Sequence, residues 1–259
     1  MKIFAAFFTA FLLSTSGAFA KAIILDYAVE GVPHEGFLAI PDKPKENMPA
    51  VLIIHDWMGP SDYYQKKAQE MAALGYVAIA ADIYGKGIRP KSPKEAGEQA
   101  GKYKNQVKLF RTKIIAALDL LKKQKGVDSK KIIVFGYCFG GTGALELART
   151  GADLAGVVSF HGGLKTVTRS ENMQIRTPIL ILHGAIDPNV PPQEVTDFLT
   201  DLDKSKQDYQ FISYSGAVHA FTNPAAGNDP SKGAAYDAKA DARSWVHFLA
   251  FLREKAPAN

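Results

Sequence analysis

Apolar residues in this chain fall into two kinds of stretch, and the two alternate. Short unbroken runs read as strands buried on both faces: Ala50-Val51-Leu52-Ile53-Ile54-His55, Tyr76 to Ala81, Lys131 to Phe135, Ala155 to Phe160 and Pro178 to Leu182. Between them apolar positions recur at three and four, and Val107, Phe110, Ile114, Ala117, Leu118 and Leu121 mark one amphipathic helix. Another helix is expected from Ser61 to Leu74, with Ser61 as N-cap and Gly75 as its stop. Further helices are expected from Thr142 to Thr150, from Pro192 to Leu202, and where Ala238, Ala242, Trp245, Leu249 and Leu252 share a face. Tyr209 to Tyr214 reads as the last strand. Ahead of all these, Ala22 to Val29 and Glu35 to Ile40 read as two strands joined by Glu30-Gly31-Val32-Pro33-His34. Arg89 to Gly101, rich in Pro, Lys, Glu and Gly, is expected to be an excursion over the sheet.

Neither an internal repeat nor a long linker interrupts this alternation. It predicts one α/β domain over residues 21–259, a mostly parallel twisted sheet with helices on both faces. In such sheets ligands bind outside the C-terminal ends of the strands. The polar residues that stand out in the sequence fall at those ends.

The most telling of them is in Gly136-Tyr137-Cys138-Phe139-Gly140-Gly141, where a buried strand breaks into a glycine-flanked turn and a helix follows. The outer glycines let strand and helix approach closely and force Cys138 onto a sharp turn. This is the nucleophile elbow of the α/β-hydrolase fold, with cysteine in the place of serine. A buried cysteine in an ordinary strand–helix turn is the plainer alternative. Asp187 and His219 each follow a later strand, so the three come in the order nucleophile, acid, histidine. A thiolate attacks a carbonyl, an imidazole moves the proton, and a carboxylate fixes the imidazole. Taken singly, Asp187 before Pro188 also suits a turn, and His219 also suits a strand end. The oxyanion that develops would meet the Phe139 main-chain N–H at the helix start, with the Trp57 N–H as the second donor. His55, His161 and His183 also sit at strand ends, but no ligand spacing of a metal site accompanies them, so no metal is expected. His34 and His247 read as surface or packing residues.

Composition narrows the setting. Lys2, an apolar stretch from Ile3 to Leu13 and Ala18-Phe19-Ala20 form a signal-peptide pattern over residues 1–20, with cleavage expected after Ala20. The apolar stretch is too short for a membrane anchor. The mature protein is therefore expected in the periplasm or outside the cell, with no membrane attachment. Without Lys2 the chain has 30 basic and 26 acidic side chains, scattered rather than gathered in a stripe, which argues against a nucleic-acid partner. Cys138 is the single cysteine. A lone thiol in an oxidising compartment needs a reason, and burial or catalysis would supply one.

With these residues in view the chain resembles the dienelactone hydrolase family. The likeness rests on the Cys138 hexapeptide, on His183-Gly184-x-x-Asp187-x-x-Val190-Pro191, on Gly216-Ala217-x-His219-x-Phe221, and on Ala81-Asp82-Ile83-Tyr84-Gly85. It implies a Cys138–His219–Asp187 triad, no metal or organic cofactor, and hydrolysis of esters or lactones. It also implies roles for several neighbours. Asp56 stands where the family has a glutamate that helps ionise the thiol. Tyr84, Lys86, with Arg89 nearby, and Asn223 stand where substrate is gripped, Lys86 and Asn223 in place of two arginines. A lysine is a point charge and asparagine has none, so the grip on a carboxylated lactone is expected to be weak.

Cysteine chemistry limits the substrate further. A thiolate leaves a tetrahedral adduct easily, so the other leaving group must be at least as good. Aryl esters, enol esters, strained lactones and thioesters qualify. The expected function is thus a cofactor-free hydrolase of small activated esters or lactones, acting as a monomer or small homo-oligomer. Two other readings fit the same residues: a binding protein of this fold without turnover, and a thioesterase or peptidase. Asn223 to Lys232, which follows His219, reads equally as a lid or as a passive loop.

Overall fold

The computed structural model describes residues 21–258, so the leader expected over residues 1–20 lies outside the described residues. Eight strands form one sheet: β1 (Lys21–Val29), β2 (Val32–Ile40), β3 (Met48–Ile54), β4 (Val77–Ala81), β5 (Val127–Tyr137), β6 (Gly156–Phe160), β7 (Ile179–Gly184) and β8 (Tyr209–Tyr214). Their order across the sheet is β1-β2-β4-β3-β5-β6-β7-β8. β1 and β2 form an antiparallel hairpin that joins β4 antiparallel, and β3 to β8 run parallel.

The apolar runs are strands because both of their faces are covered. Along β3, Leu52 and Ile54 enter the core on one side of the sheet, while Val51 and Ile53 enter the core on the other. One core is closed by α1 (Asp62–Ala73) and α6 (Ala238–Lys255), through Tyr64, Met71, Phe248 and Phe251. The other is closed by α2 (Pro93–Asn105), α3 (Val107–Lys122), α4 (Phe139–Arg149) and α5 (Pro192–Lys204), through Tyr103, Phe110, Ile114, Leu145 and Phe198. The chain leaves β3 for β4 on one side and reaches β5 on the other. The sheet therefore reverses direction beside β3, and the loops after β3 and β5 open onto one crevice.

Three readings of the sequence gain detail. Within Arg89 to Gly101, expected as an excursion over the sheet, α2 begins at Pro93. Its start is a capping box: the Ser92 hydroxyl accepts from the Glu95 N–H, and the Glu95 carboxylate accepts from the Lys91 N–H. Composition obscured a local signal that was present. Ser61 does precede α1, but its side chain makes no capping hydrogen bond. His34 is fully buried, with Nδ1 2.9 Å from the Asp82 carbonyl and Nε2 3.1 Å from the Lys113 ammonium.

A buried ion network lay beyond any sequence pattern. Arg149, wholly inaccessible, donates to Glu146 at 2.7 Å, to Asn172 at 2.8 Å and to the Leu164 carbonyl at 2.5 Å. Arg111 adds bonds to Glu146 and Glu171, tying α3 and α4 to a 3₁₀ turn at Arg169–Gln174. Among the described residues no helix is long and apolar enough to cross a membrane.

Candidate active site

β5 ends at Tyr137 and α4 begins at Phe139, which leaves Cys138 alone at the bend with φ 54° and ψ −113°. Few residues adopt positive φ without strain, and this one is held there from both sides. Its N–H donates to the Phe160 carbonyl at 2.9 Å, and its carbonyl accepts from the Thr142 N–H at 3.1 Å. The flanking glycines are required by contact. A Cβ on Gly136 would stand 2.3 Å from the Gly140 carbonyl, and one on Gly140 would stand 2.2 Å from the Ile54 carbonyl oxygen. Close packing of strand, elbow and helix thus fixes the direction of the Cys138 side chain, which is partly exposed.

The loop after β8 carries His219 to this sulfur. Its Nε2 lies 3.0 Å from Cys138 Sγ, and its Nδ1 lies 2.8 Å from Asp187 Oδ2. Asp187 is itself buried, and its other oxygen accepts from the Asn189 N–H at 2.8 Å. Burial opposes charge on His219, but its hydrogen bonds to Asp187 and Cys138 outweigh that, and the ring is pushed up to about 10. It therefore carries its proton at neutral pH. The main chain of His219 is anchored as well: its N–H donates to the Gly233 carbonyl, and its carbonyl accepts from the Ala235 N–H. The 223–232 segment, read as lid or loop, is in this way pinned to His219 at its far end.

The loop after β3 supplies the facing wall, and several polar links hold it. His55 Nδ1 lies 2.6 Å from the Asp56 carbonyl, while His55 Nε2 lies 3.2 Å from the Ile83 N–H. Since the Ile83 amide must donate, the proton of His55 sits on Nδ1. Burial keeps this ring neutral, pulling it down to about 4. The Asp56 N–H donates to the Tyr64 hydroxyl at 2.9 Å, and the Tyr84 hydroxyl donates to the Trp57 carbonyl at 2.9 Å. The Trp57 and Phe139 N–H groups take no partner among the described residues. Burial raises the Asp56 carboxyl above the usual range, and the Met58 N–H, Tyr64 and the His219 charge partly offset it.

A thiol, a charged imidazole, a carboxylate behind it and two unpaired amides are the parts that acyl transfer through an oxyanion needs. Among the described residues no group of three His, Cys, Asp or Glu side chains stands close enough to hold a metal. The profile of the dienelactone hydrolase family matches residues 34–256. The chain belongs to that family.

Its relatives agree with the geometry. A solved structure titled "m3DLH" is 32% identical with a TM-score of 0.86, over 91% of this chain and 98% of its own. A dienelactone hydrolase-like promiscuous phosphotriesterase, P91, from metagenomic libraries is 33% identical with a TM-score of 0.86, over 92% and 99%. "Protein usf" of Aquifex pyrophilus is 28% identical over 89% of this chain and 97% of its own. A Bradyrhizobium protein named "Probable 2-oxo-3-(5-oxofuran-2-ylidene)propanoate lactonase" is 28% identical over 78% and 85%. This dienelactone hydrolase family member is a hydrolase of ester or lactone bonds on an α/β-hydrolase fold.

The structure brings Cys138, His219 and Asp187 of this family member into contact, and sets Asp56 close enough to interact with the His219 charge. It gives the four expected substrate contacts other partners. Tyr84 is buried and braces Trp57. Lys86 pairs with Asp26 at 2.7 Å and Glu35 at 3.3 Å on the β1–β2 hairpin. Arg89 donates to the Gly85 and Ile88 carbonyls, and Asn223 accepts from the Ala225 N–H. His55 and Tyr64 were missed as site residues. A histidine ending a buried strand was visible in the sequence, but its role depends on a loop nearly thirty residues later. His161 and His183 are buried and neutral, each with Nδ1 lacking a hydrogen-bond partner. The edge of His161 packs against the His219 ring with centroids 5.3 Å apart.

Proposed function

We propose that this protein hydrolyses small activated esters and lactones by covalent catalysis at Cys138, with His219 and Asp187 completing a triad. The observation that supports this reading is the unbroken Sγ–imidazole–carboxylate contact, 3.0 and 2.8 Å, at a strained elbow. The Cys138 sulfur, having passed its proton to His219, attacks the carbonyl carbon and forms a C–S bond. The carbonyl oxygen takes the electron pair and is received by the Trp57 and Phe139 N–H groups. Collapse expels the alcohol oxygen, which takes the proton from His219, and leaves a thioester on Cys138. Water then attacks the thioester as His219 takes its proton, and the acid departs from a regenerated thiolate. Asp187 keeps the imidazole oriented and offsets its charge throughout. No step calls for a metal or an organic cofactor.

Cys138→Ala is expected to abolish turnover of p-nitrophenyl acetate while circular dichroism stays native. Retained hydrolysis in that variant would refute the assignment. Export to a periplasm or the exterior belongs to the same proposal and is supported by the Lys2, Ile3 to Leu13 and Ala18-Phe19-Ala20 pattern. Mass spectrometry of purified protein should find Lys21 at the N-terminus, and an intact Met1 in exported material would contradict the cleavage.

A further inference from the structure

We propose that this site selects uncharged, apolar substrates over carboxylate-bearing ones, because the cations beside it are already neutralised and its rim is apolar. The proposal rests on the reading of Cys138 as the reactive group.

The loop after β4 carries Lys86 and Arg89 at the C-terminal end of the sheet, close to Tyr84, whose hydroxyl reaches the Trp57 loop. An anionic substrate at this end of the sheet would turn to these two cations. Both are occupied. The Lys86 ammonium lies 2.7 Å from Asp26 and 3.3 Å from Glu35, and its main-chain N–H donates to the Pro33 carbonyl at 2.8 Å. Arg89 lies 3.8 Å from both the Glu35 and the Asp82 carboxylates, and its Nη1 also bonds two carbonyls. Three acids thus face two cations. The β1–β2 hairpin holds the loop by charge as well as by main-chain pairing.

Closer to the sulfur the balance also disfavours an anion. Asp56 and Asp187 both interact with the single His219 charge. A substrate carboxylate would enter low-dielectric surroundings already supplied with negative groups, and the Lys86 and Arg89 cations it would meet are already paired. Four large apolar side chains are exposed at the neighbouring loop tips. Trp57 and Met58 follow Asp56, Ile88 lies between Lys86 and Arg89, and Ile186 precedes Asp187, each at least 37% accessible. Apolar surface left open beside a reactive thiol gains when an aryl or alkyl group covers it.

The test compares neutral and anionic partners of equal size at Cys138. p-Nitrophenyl butyrate and the mono-p-nitrophenyl ester of succinic acid serve as esters, and iodoacetamide and iodoacetate as alkylating agents that need no turnover. The mature chain should favour butyrate over succinate at least tenfold in kcat/KM, after correction for hydrolysis in buffer. The iodoacetamide-to-iodoacetate rate ratio should exceed that of free cysteine by a similar factor. Asp26→Asn with Glu35→Gln, which frees Lys86 and leaves Arg89 only its Asp82 and carbonyl contacts, should narrow both ratios severalfold, acting on KM of the succinate ester. Equal or better use of the anionic partner by the wild-type chain would overturn the proposal, as would ratios unmoved in the double variant. Hydrolysis of both esters with no alkylation of Cys138 would instead defeat the reading of the nucleophile, and the ester ratio would still decide the charge preference.

Discussion

The hydroxyl of Tyr84 donates a 2.9 Å hydrogen bond to the main-chain carbonyl of Trp57. The two residues lie just past neighbouring parallel strands, and the bond satisfies the carbonyl of the Trp57–Met58 peptide, next to the Asp56–Trp57 peptide whose N–H stays unpaired. The Tyr84 ring is buried against His55 and Phe139, with centroids 4.7 and 5.4 Å away, so the donor is rigid. Tyr84→Phe keeps the ring and removes the bond. It is expected to lower kcat for an aryl ester about fivefold, the worth of about 1 kcal/mol, with KM little changed. An unaltered kcat would mean that the loop is held without the hydroxyl.

Gly140 permits the contact on which the elbow depends. A Cβ there would meet the Ile54 and His55 carbonyl oxygens at 2.2 and 2.6 Å, and main chain cannot swing aside as a side chain can. Gly140→Ala should cost about 3 kcal/mol, the upper range for overpacking, and lower Tm by roughly 6–12 °C. Thermal melts of the two proteins check it, and a shift under two degrees would show that the strand and helix have room to part.

The paired state of His219 sets the alkaline limit. The folded pKa, about 10, lies above the unfolded value, so its stabilising contribution is complete below about 6.5 and is lost as pH rises through 10. The same proton serves the leaving group, so kcat/KM should fall as pH passes about 10. In Asp187→Asn the limb should move to lower pH and kcat should drop about 10²–10⁴-fold, as when a triad loses its carboxylate. A limb that stays in place in this variant would separate Asp187 from the histidine's charge.

Acid sensitivity comes from rings buried in the neutral form, and His55 is one of them. His55 is neutral inside the fold, with a pKa of about 4, whereas the unfolded chain binds a proton there near 6.5. Its contribution is therefore complete above 6.5 and is lost as pH falls toward 4. Moving from pH 6.5 to 5 should cost about 2 kcal/mol through this residue. Urea midpoints at the two pH values test it, with His55→Asn expected to reduce the difference. An unchanged difference in that variant would place the acid sensitivity elsewhere.

Much of this was readable along the chain because the patterns involved are local. Short continuous apolar runs bounded by turn residues read as strands covered on both sides, and the Cys138 hexapeptide states its own bend. The positions of Cys138, Asp187 and His219 were legible for a related reason. A parallel sheet places every residue that follows a strand at one end, so order along the chain becomes adjacency in space. The Ser92–Glu95 capping box was equally local and was passed over amid residues rich in Pro, Lys, Glu and Gly.

Sequence alone determined the layered sheet, the elbow with its cysteine and the two partners of that cysteine. Each follows from the period of burial or from steric demands within a few residues. Only the tertiary structure decided what the remaining polar groups do: that Lys86 is held by Asp26, that Tyr84 braces a peptide, that His55 links two loops and that Arg149 lies buried against Glu146 and Asn172. Those pairings join residues far apart in the chain. Charge and hydrogen bonding act at contact distance, and contact is set by how the strands are ordered across the sheet.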